Sequence, residues 1–366
     1  MSIKCRLNKH LGLSLIELMI GLVLGLLTAG IVMTIFVSNH AVFRTDDGIS
    51  RVQDNARFIQ GYIVKTIRMS GFRGCLSKQQ VPLVNTLNMS SNLAFNFTQG
   101  IEGIDNISNT LPANISEYIG TTEPRPLVGT DVLIIRGPVG PIVGISQNNT
   151  NDSVFVDVVQ NETSTACEIG TRVSNLCVSD IVMLSDCKKS RIFQISSMDI
   201  VSGAGSTQTL SLGHSIGGTI VPGNSVGAWS PSVNKQDNVG SGSEIIRYQT
   251  LALYVAVNPV SNQNSLYSKV NNRPSQVLVD FVRDFQVSYG VDTNADRQVD
   301  DYVSASSVSN WNNVLSVRIA LLLFSGENGL LNSPQTVKFN NASVLMSDTR
   351  WYLPLTITAS LRNRIS

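Results

Sequence analysis

The sequence predicts an α+β protein in which one very long N-terminal helix packs on a β-rich, antiparallel head. An apolar run from Leu13 to Val37 is long enough to cross a bilayer core as a helix. Helical periodicity continues beyond it to about Met69, and short strand-like segments separated by turn residues follow. A single helix from Leu13 to Met69 would be roughly 85 Å long.

Composition favours an exported protein. The 366 residues include 27 Lys+Arg and 26 Asp+Glu, which gives a formal net charge of +1. The chain therefore has no excess of basic residues that would indicate binding to nucleic acid. Charged residues make up only 14% of the chain, against roughly 25% in typical soluble domains. Ser, Thr, Asn and Gln supply much of the polar surface instead, which suits a β-rich protein outside the cytoplasm.

A basic segment precedes the apolar run. Residues 1–12 include Lys4, Arg6 and Lys9 and end on Gly12. A secretory signal has a short apolar core with small residues at a cleavage site after it. Here the apolar run is too long and the small residue comes before it. Cleavage after Gly12 would therefore remove a leader and retain the whole helix.

The segment Gly12-Leu13-Ser14-Leu15-Ile16-Glu17 resembles the class III signal of type IV prepilins and of type II secretion pseudopilins. The resemblance implies that prepilin peptidase cuts between Gly12 and Leu13 and methylates the new amino terminus. It also implies that Glu17 sets the axial register of the subunit in a filament. The family usually has Phe or Met at the position of Leu13 and Thr at that of Ser14.

Glu17 is the one charged residue of the apolar run. A charge within a membrane helix costs on the order of 2.5–3.5 kcal/mol on insertion scales, so such residues are normally paired. The amino group of a processed Leu13, from the same or a neighbouring subunit, would be an available partner. The alternative is that Glu17 lies near the interface and extends its carboxylate into water.

Residues 38–70 continue as an amphipathic helix. Apolar residues recur at helical spacings, and Gly71 and Gly74 supply stop signals. The predicted buried stripe comprises Val42, Ile49, Val52, Ala56, Ile59, Ile63 and Ile67.

Three segments are similar to minor pilins of the PilW family. They are residues 52–75 (VQDNARFIQGYIVKTIRMSGFRGC), 285–292 (FQVSYGVD) and 314–324 (VLSVRIALLLF). The resemblance implies a pilin-like lollipop that is anchored once in the inner membrane, has a periplasmic head and later sits at the pilus tip. The implied partners are prepilin peptidase, the inner-membrane assembly platform, the other minor pilins, the major pilin and a large tip adhesin.

Two other functions fit the anchored helix. One is a J-type pseudopilin of type II secretion, and the other is a membrane-anchored periplasmic adhesin or binding protein that never enters a filament. An enzyme is not expected. His40 and His214 belong to no recognisable catalytic constellation, and no nucleotide-binding motif is present.

The head is expected to form two β-rich lobes, at 71–240 and 241–366, separated by a Gly/Ser/Asn-rich stretch. Strand-like segments begin at Asp131, Ser153, Asp180, Arg191, Thr207 and Val314, and an amphipathic turn followed by the segment 285–292 precedes the last of these. We expect 244–257 to form a hairpin or a bent pair of strands.

Four cysteines lie beyond the leader: Cys75, Cys167, Cys177 and Cys187. An even set outside the cytoplasm is compatible with two disulfides. The spacing leaves all three pairings open, and four reduced, buried thiols are the alternative. Zinc is disfavoured because there is no Cys-x-x-Cys pair.

An acidic loop follows the segment 285–292. Asp292, Asn294, Asp296 and Asp300 place oxygen-bearing side chains at positions 1, 3, 5 and 9 of a potential structural calcium site. Arg297 replaces the glycine of an EF-hand loop, and Val303 replaces its bidentate glutamate. The alternative is a solvated Asp/Asn turn between two strands.

Overall fold

A computed structural model describes residues 14–74, 82–120, 122–158, 167–186, 188–202, 208–217, 220–231 and 237–365. Its helices are α1 (Leu15–Met69), α2 (Ala113–Ile119) and α3 (Arg362–Ile365). Its strands are β1 (Leu83–Asn85), β2 (Ile101–Ile104), β3 (Val132–Gln147), β4 (Ser153–Asp157), β5 (Ile181–Ser185), β6 (Ser190–Gln194), β7 (Ser197–Ser202), β8 (Gln208–Gly213), β9 (Glu244–Val257), β10 (Asn264–Val270), β11 (Gln276–Asp280), β12 (Val282–Val291), β13 (Asp301–Val303), β14 (Val314–Phe324), β15 (Thr336–Phe339), β16 (Ala342–Leu345) and β17 (Tyr352–Ser360). The predicted α+β class is confirmed.

The long helix is continuous over 55 residues, which corresponds to about 83 Å. It ends where predicted, because Gly71 follows Ser70 with φ +67° and donates its backbone N–H to the carbonyl of Arg136 in β3. Gly48 and Gly61 do not interrupt it.

Two sheets form most of the head. In the larger one the path β1-β6-β5-β9-β3-β4-β8-β7 is extended by β2 beside β3, and by β10 and β11 beside β9. The smaller one has the order β13-β12-β14-β17. Pairing is antiparallel among the described strands except between β1 and β6. The short β15–β16 hairpin packs Val337 and Phe339 against the smaller sheet.

The expected boundary near residue 240 does not separate the sheets. Strand β9 lies inside the larger sheet, where it pairs with β3, β5 and β10, and the smaller sheet begins only at β12. The expected hairpin at 244–257 is also wrong, since this segment is a single strand of 14 residues. It contains no turn residue, and partners on both sides keep it extended.

The second half of α1 completes the main core. Its apolar stripe is buried between the two sheets, together with Phe285 of β12 and Ile319 of β14. The buried members of the stripe are Val52, Ala56, Ile59, Ile63 and Ile67. The helix is therefore an integral part of the head over its last five turns.

This packing makes the helix stripe a sensitive point for stability. Ile63 is fully buried, whereas Phe58 on the same helix is 51% exposed. Ile63→Ala should lower the free energy of unfolding by about 2–5 kcal/mol, because it leaves a cavity in the shared core. Phe58→Ala should cost less than about 1 kcal/mol. Urea unfolding of the full chain in detergent, followed by tryptophan fluorescence, measures both. If both variants lost the same small amount of unfolding free energy, the result would contradict the packing of the helix in a shared core.

Candidate assembly interface

The first half of α1 carries a continuous apolar surface that the head does not cover. From Leu15 to Phe43 every residue is exposed, and the helix is long and apolar enough to cross a membrane. These 29 residues would extend about 44 Å, more than the roughly 30 Å of a hydrocarbon core. The large apolar side chains on this surface are Leu15, Ile16, Leu18, Met19, Ile20, Leu22, Val23, Leu24, Leu26, Leu27, Ile31, Val32, Met33, Ile35, Phe36, Val37, Val42 and Phe43.

Glu17 lies in the first turn of this helix. Its backbone N–H donates to the carbonyl of Ser14 at 3.0 Å, so the carboxylate sits at the positive end of the helix dipole. The side chain has no partner among the described residues. Gly12 and Leu13, the predicted processing residues, lie outside the described residues. The pairing of Glu17 with a processed amino terminus therefore stays a prediction.

The exposed and packed halves of α1 meet at the loop after β14. Arg44 donates from Nε and Nη2 to Oε2 of Glu327, at 2.8 and 2.6 Å. One turn later, a Cβ added to Gly48 would lie 2.7 Å from Cδ1 of Leu330, so the glycine allows a close approach. This junction could not be predicted from the sequence, because Arg44 and Glu327 are 283 residues apart and form no local pattern.

Cys167 and Cys177 form a disulfide, with a Cα–Cα distance of 5.8 Å. This resolves one pair among the alternatives that the spacing left open. Cys75 and Cys187 lie outside the described residues.

The acidic loop is held by its own backbone. The two carboxylate oxygens of Asp292 accept the N–H groups of Ala295 and Arg297, at 2.7 and 2.9 Å. Asp300 accepts both the N–H and the hydroxyl of Thr293, at 2.7 and 2.6 Å, and these bonds lower the pKa of its carboxyl. The carboxylates thus point at N–H donors within the loop.

The same kind of hydrogen bond recurs along the loop. In the part of the chain that the structure describes, no group of three or more His, Cys, Asp or Glu residues is placed to hold a metal ion. Asn294 and Asp296 likewise accept backbone N–H groups two residues further on. Such bonds are the Asx turns that stabilise short Asp/Asn loops.

His214 has a packing role. Its ring stacks on Trp229 with centroids 3.8 Å apart, and Phe193 meets both rings edge-on. Burial lowers the pKa of His214 to about 4, so the imidazole is neutral at ordinary pH. Arg191 covers the Trp229 ring at 4.4 Å. The cluster forms part of a core beneath β4, β6 and β8.

A long helix with an exposed apolar half, packed by its other half on an antiparallel head, defines a pilin-like α+β protein. Residues 252–363 match the family model of PilW, described as type IV pilus-assembly protein W. The match covers the C-terminal part of the chain and supports a relation to the PilW family of type IV pilus-assembly proteins. The matched segment runs from β9 to α3 and includes the smaller sheet. No curated protein and no solved structure matches the chain significantly.

The geometry of the acidic loop gives a testable outcome. Asp292→Asn replaces one of the two accepting oxygens with an NH2 group, so one of the two bonds to backbone N–H groups is lost. The substitution should cost about 1–3 kcal/mol, with or without calcium. Asp296→Asn, which affects a single loop bond to Gln298, is the matched control and should cost less. Thermal melting in EGTA and in calcium should give the same Tm for the unsubstituted chain. A Tm that falls in EGTA only when Asp292 is intact would establish the calcium site instead.

Proposed function

We propose that this protein is a minor pilin whose activity is assembly and not catalysis. It is held in the inner membrane by the first half of α1, with its head in the periplasm. It joins other minor pilins in a complex that primes polymerisation of the major pilin and remains at the pilus tip. Twitching motility, adhesion and DNA uptake would depend on it indirectly.

The exposed half of α1 carries the proposal. An apolar surface of this length must be covered by lipid, by other helices, or by each in turn. If the helix were only a membrane anchor, lipid alone would cover this surface. A filament subunit exchanges lipid for neighbouring helices, and the family match to type IV pilus assembly supports that exchange. Gly21 and Gly25 are four residues apart with nothing within 4 Å of an added Cβ, so they form a small-residue surface open to close helix contact.

Glu17 supplies the register in this proposal. A charged group that passes from the membrane into a bundle of apolar helices needs a defined partner. The amino group of a processed Leu13 on a neighbouring subunit would be such a partner, because the two groups lie near the same end of the helix. The peptidase and the assembly platform are the partners that act before this contact forms.

The head supplies contacts with other minor pilins and with a tip adhesin in the same proposal. Its exposed surface includes the all-exposed strand β16, with Val344 and Leu345 accessible. The J-type pseudopilin alternative uses the same helix chemistry. A strain lacking the protein that loses twitching but retains secretion supports the pilus assignment, and the opposite result contradicts it.

Substitution of Glu17 tests the assembly role. Glu17→Val and Glu17→Gln should leave membrane insertion intact, since removal of the charge saves up to about 3 kcal/mol of insertion cost. Both should reduce surface pili to the level of a deletion strain, because the register contact is lost. Asp54→Asn is the matched control: Asp54 is an exposed acidic residue on the packed half of the same helix.

Membrane fractionation and counts of surface pili measure these two effects separately. Normal piliation with Glu17→Val would contradict the register role. Loss of the protein from the membrane fraction would show that Glu17 acts in stability and not in assembly.

A further inference from the structure

A half-open cavity of about 280 Å³ lies on the larger sheet, away from α1. It is bordered by β9, by the turn between β10 and β11, and by the segment that leads into β5. Its volume is near the lower end of the roughly 300–1,000 Å³ of ligand pockets, which suits a molecule the size of one sugar residue. Its charged lining residues are Glu168, Asp180, Arg247 and Arg273.

Arg247 is the central cation of this cavity. Its Nε is buried and has no hydrogen-bond partner, and its guanidinium forms no ion pair with a carboxylate among the described residues. A Cβ added to Gly140 would lie 2.7 Å from its Nη2, so the glycine makes room for the guanidinium. Burial lowers the pKa of Arg247, Asp180 opposes that effect, and Arg172 and Arg273 reinforce it.

Arg273 brings a second cation to the rim. Its backbone N–H donates to the carbonyl of Val270 at 3.0 Å, and its carbonyl accepts Nζ of Lys269 at 2.8 Å. Asn271 accepts the backbone N–H of Thr250 at 2.8 Å, which ties the turn to β9. The Arg273 side chain is exposed and has no hydrogen bond with the described residues. Two guanidinium groups are thus held at the cavity with free donors.

The acidic residues of the rim lie next to the two cysteines of the disulfide. Glu168 follows Cys167 directly, and Asp180 accepts the backbone N–H of Cys177 at 2.9 Å. Asp180 is thereby held beside Cys177, and Glu168 is the neighbour of Cys167 in the chain, so both acidic residues lie near the disulfide. Their oxygens supply acceptors for hydroxyl or amide donors, while the arginines supply only donors.

We infer that this cavity binds an acidic saccharide, with the sugar carboxylate on Arg247 and Arg273 and the ring hydroxyls on Asp180 and Glu168. An arginine fork matches a carboxylate in geometry and in charge. Inorganic phosphate carries at most two O–H donors near neutral pH and no ring hydroxyls, and its charge is repelled by the two carboxylates, so it fits the lining less well. A neutral sugar leaves the guanidinium groups unpaired. This inference goes beyond the assembly function and does not depend on it.

Calorimetric titration of the full chain in detergent with glucuronate tests the inference. Glucose and inorganic phosphate are the comparison ligands. We expect saturable binding of glucuronate, with glucose and phosphate each at least about tenfold weaker. Equal binding of phosphate would reduce the cavity to a general anion site, and absence of saturable glucuronate binding would overturn the inference.

Variants connect the binding to the cavity. Arg273→Gln, at an exposed position, and Arg247→Gln should each weaken glucuronate binding by at least about tenfold. Arg318→Gln is the control, because Arg318 lies on β14 of the smaller sheet and stacks on Tyr302 at 3.6 Å. Glucuronate binding that is unchanged by Arg273→Gln in a protein with an unaltered melting temperature would contradict the assigned site.

Discussion

The burial of one helical stripe between two sheets is the constraint on which the rest of this structure depends. Ile59, Ile63 and Ile67 are fully buried and bring the two sheets onto a common core. Because α1 is one rigid helix, this packing also fixes the direction in which its free half leaves the head. The junction at Arg44 and Glu327 lies at the outer end of the packed region. An exposed ion pair of this kind contributes at most about 1 kcal/mol, so the apolar stripe dominates the attachment.

Much of this architecture follows from periodicity, which is a local property of the sequence. The end of α1 and the strands β3, β4, β5, β6, β8, β12 and β14 were predicted, because each has its own pattern and its own turn residues. Strands such as β1, β10, β15 and β17 were not predicted. Val42 was assigned to the buried stripe but is 58% exposed. Periodicity identifies a helix face, but it does not say where the head begins to cover that face. The single strand at Glu244–Val257 was missed for a related reason: its extended form depends on neighbours on both sides, which are distant in sequence.

The features proposed to have a function also fall into two groups: those that the sequence reveals and those that only the structure reveals. Glu17 was found from sequence because one charge in an apolar run is conspicuous, and the acidic loop because its spacing is regular. The arrangement of the loop then required coordinates, since the same residues are compatible with a metal site or with Asx turns. The cavity at Arg247 could not be predicted, because its charged residues come from four separate segments. The disulfide between Cys167 and Cys177 contributes both to the fold and to the rim of this cavity.

We propose that the apolar half of α1 is retained after processing and serves both as an anchor and as an assembly element. Intact mass spectrometry of the protein from the membrane and from sheared pili tests it most directly. We expect a chain that begins at N-methylated Leu13 in both fractions. A chain that still begins at Met1, or one that has lost the apolar segment, would contradict the account.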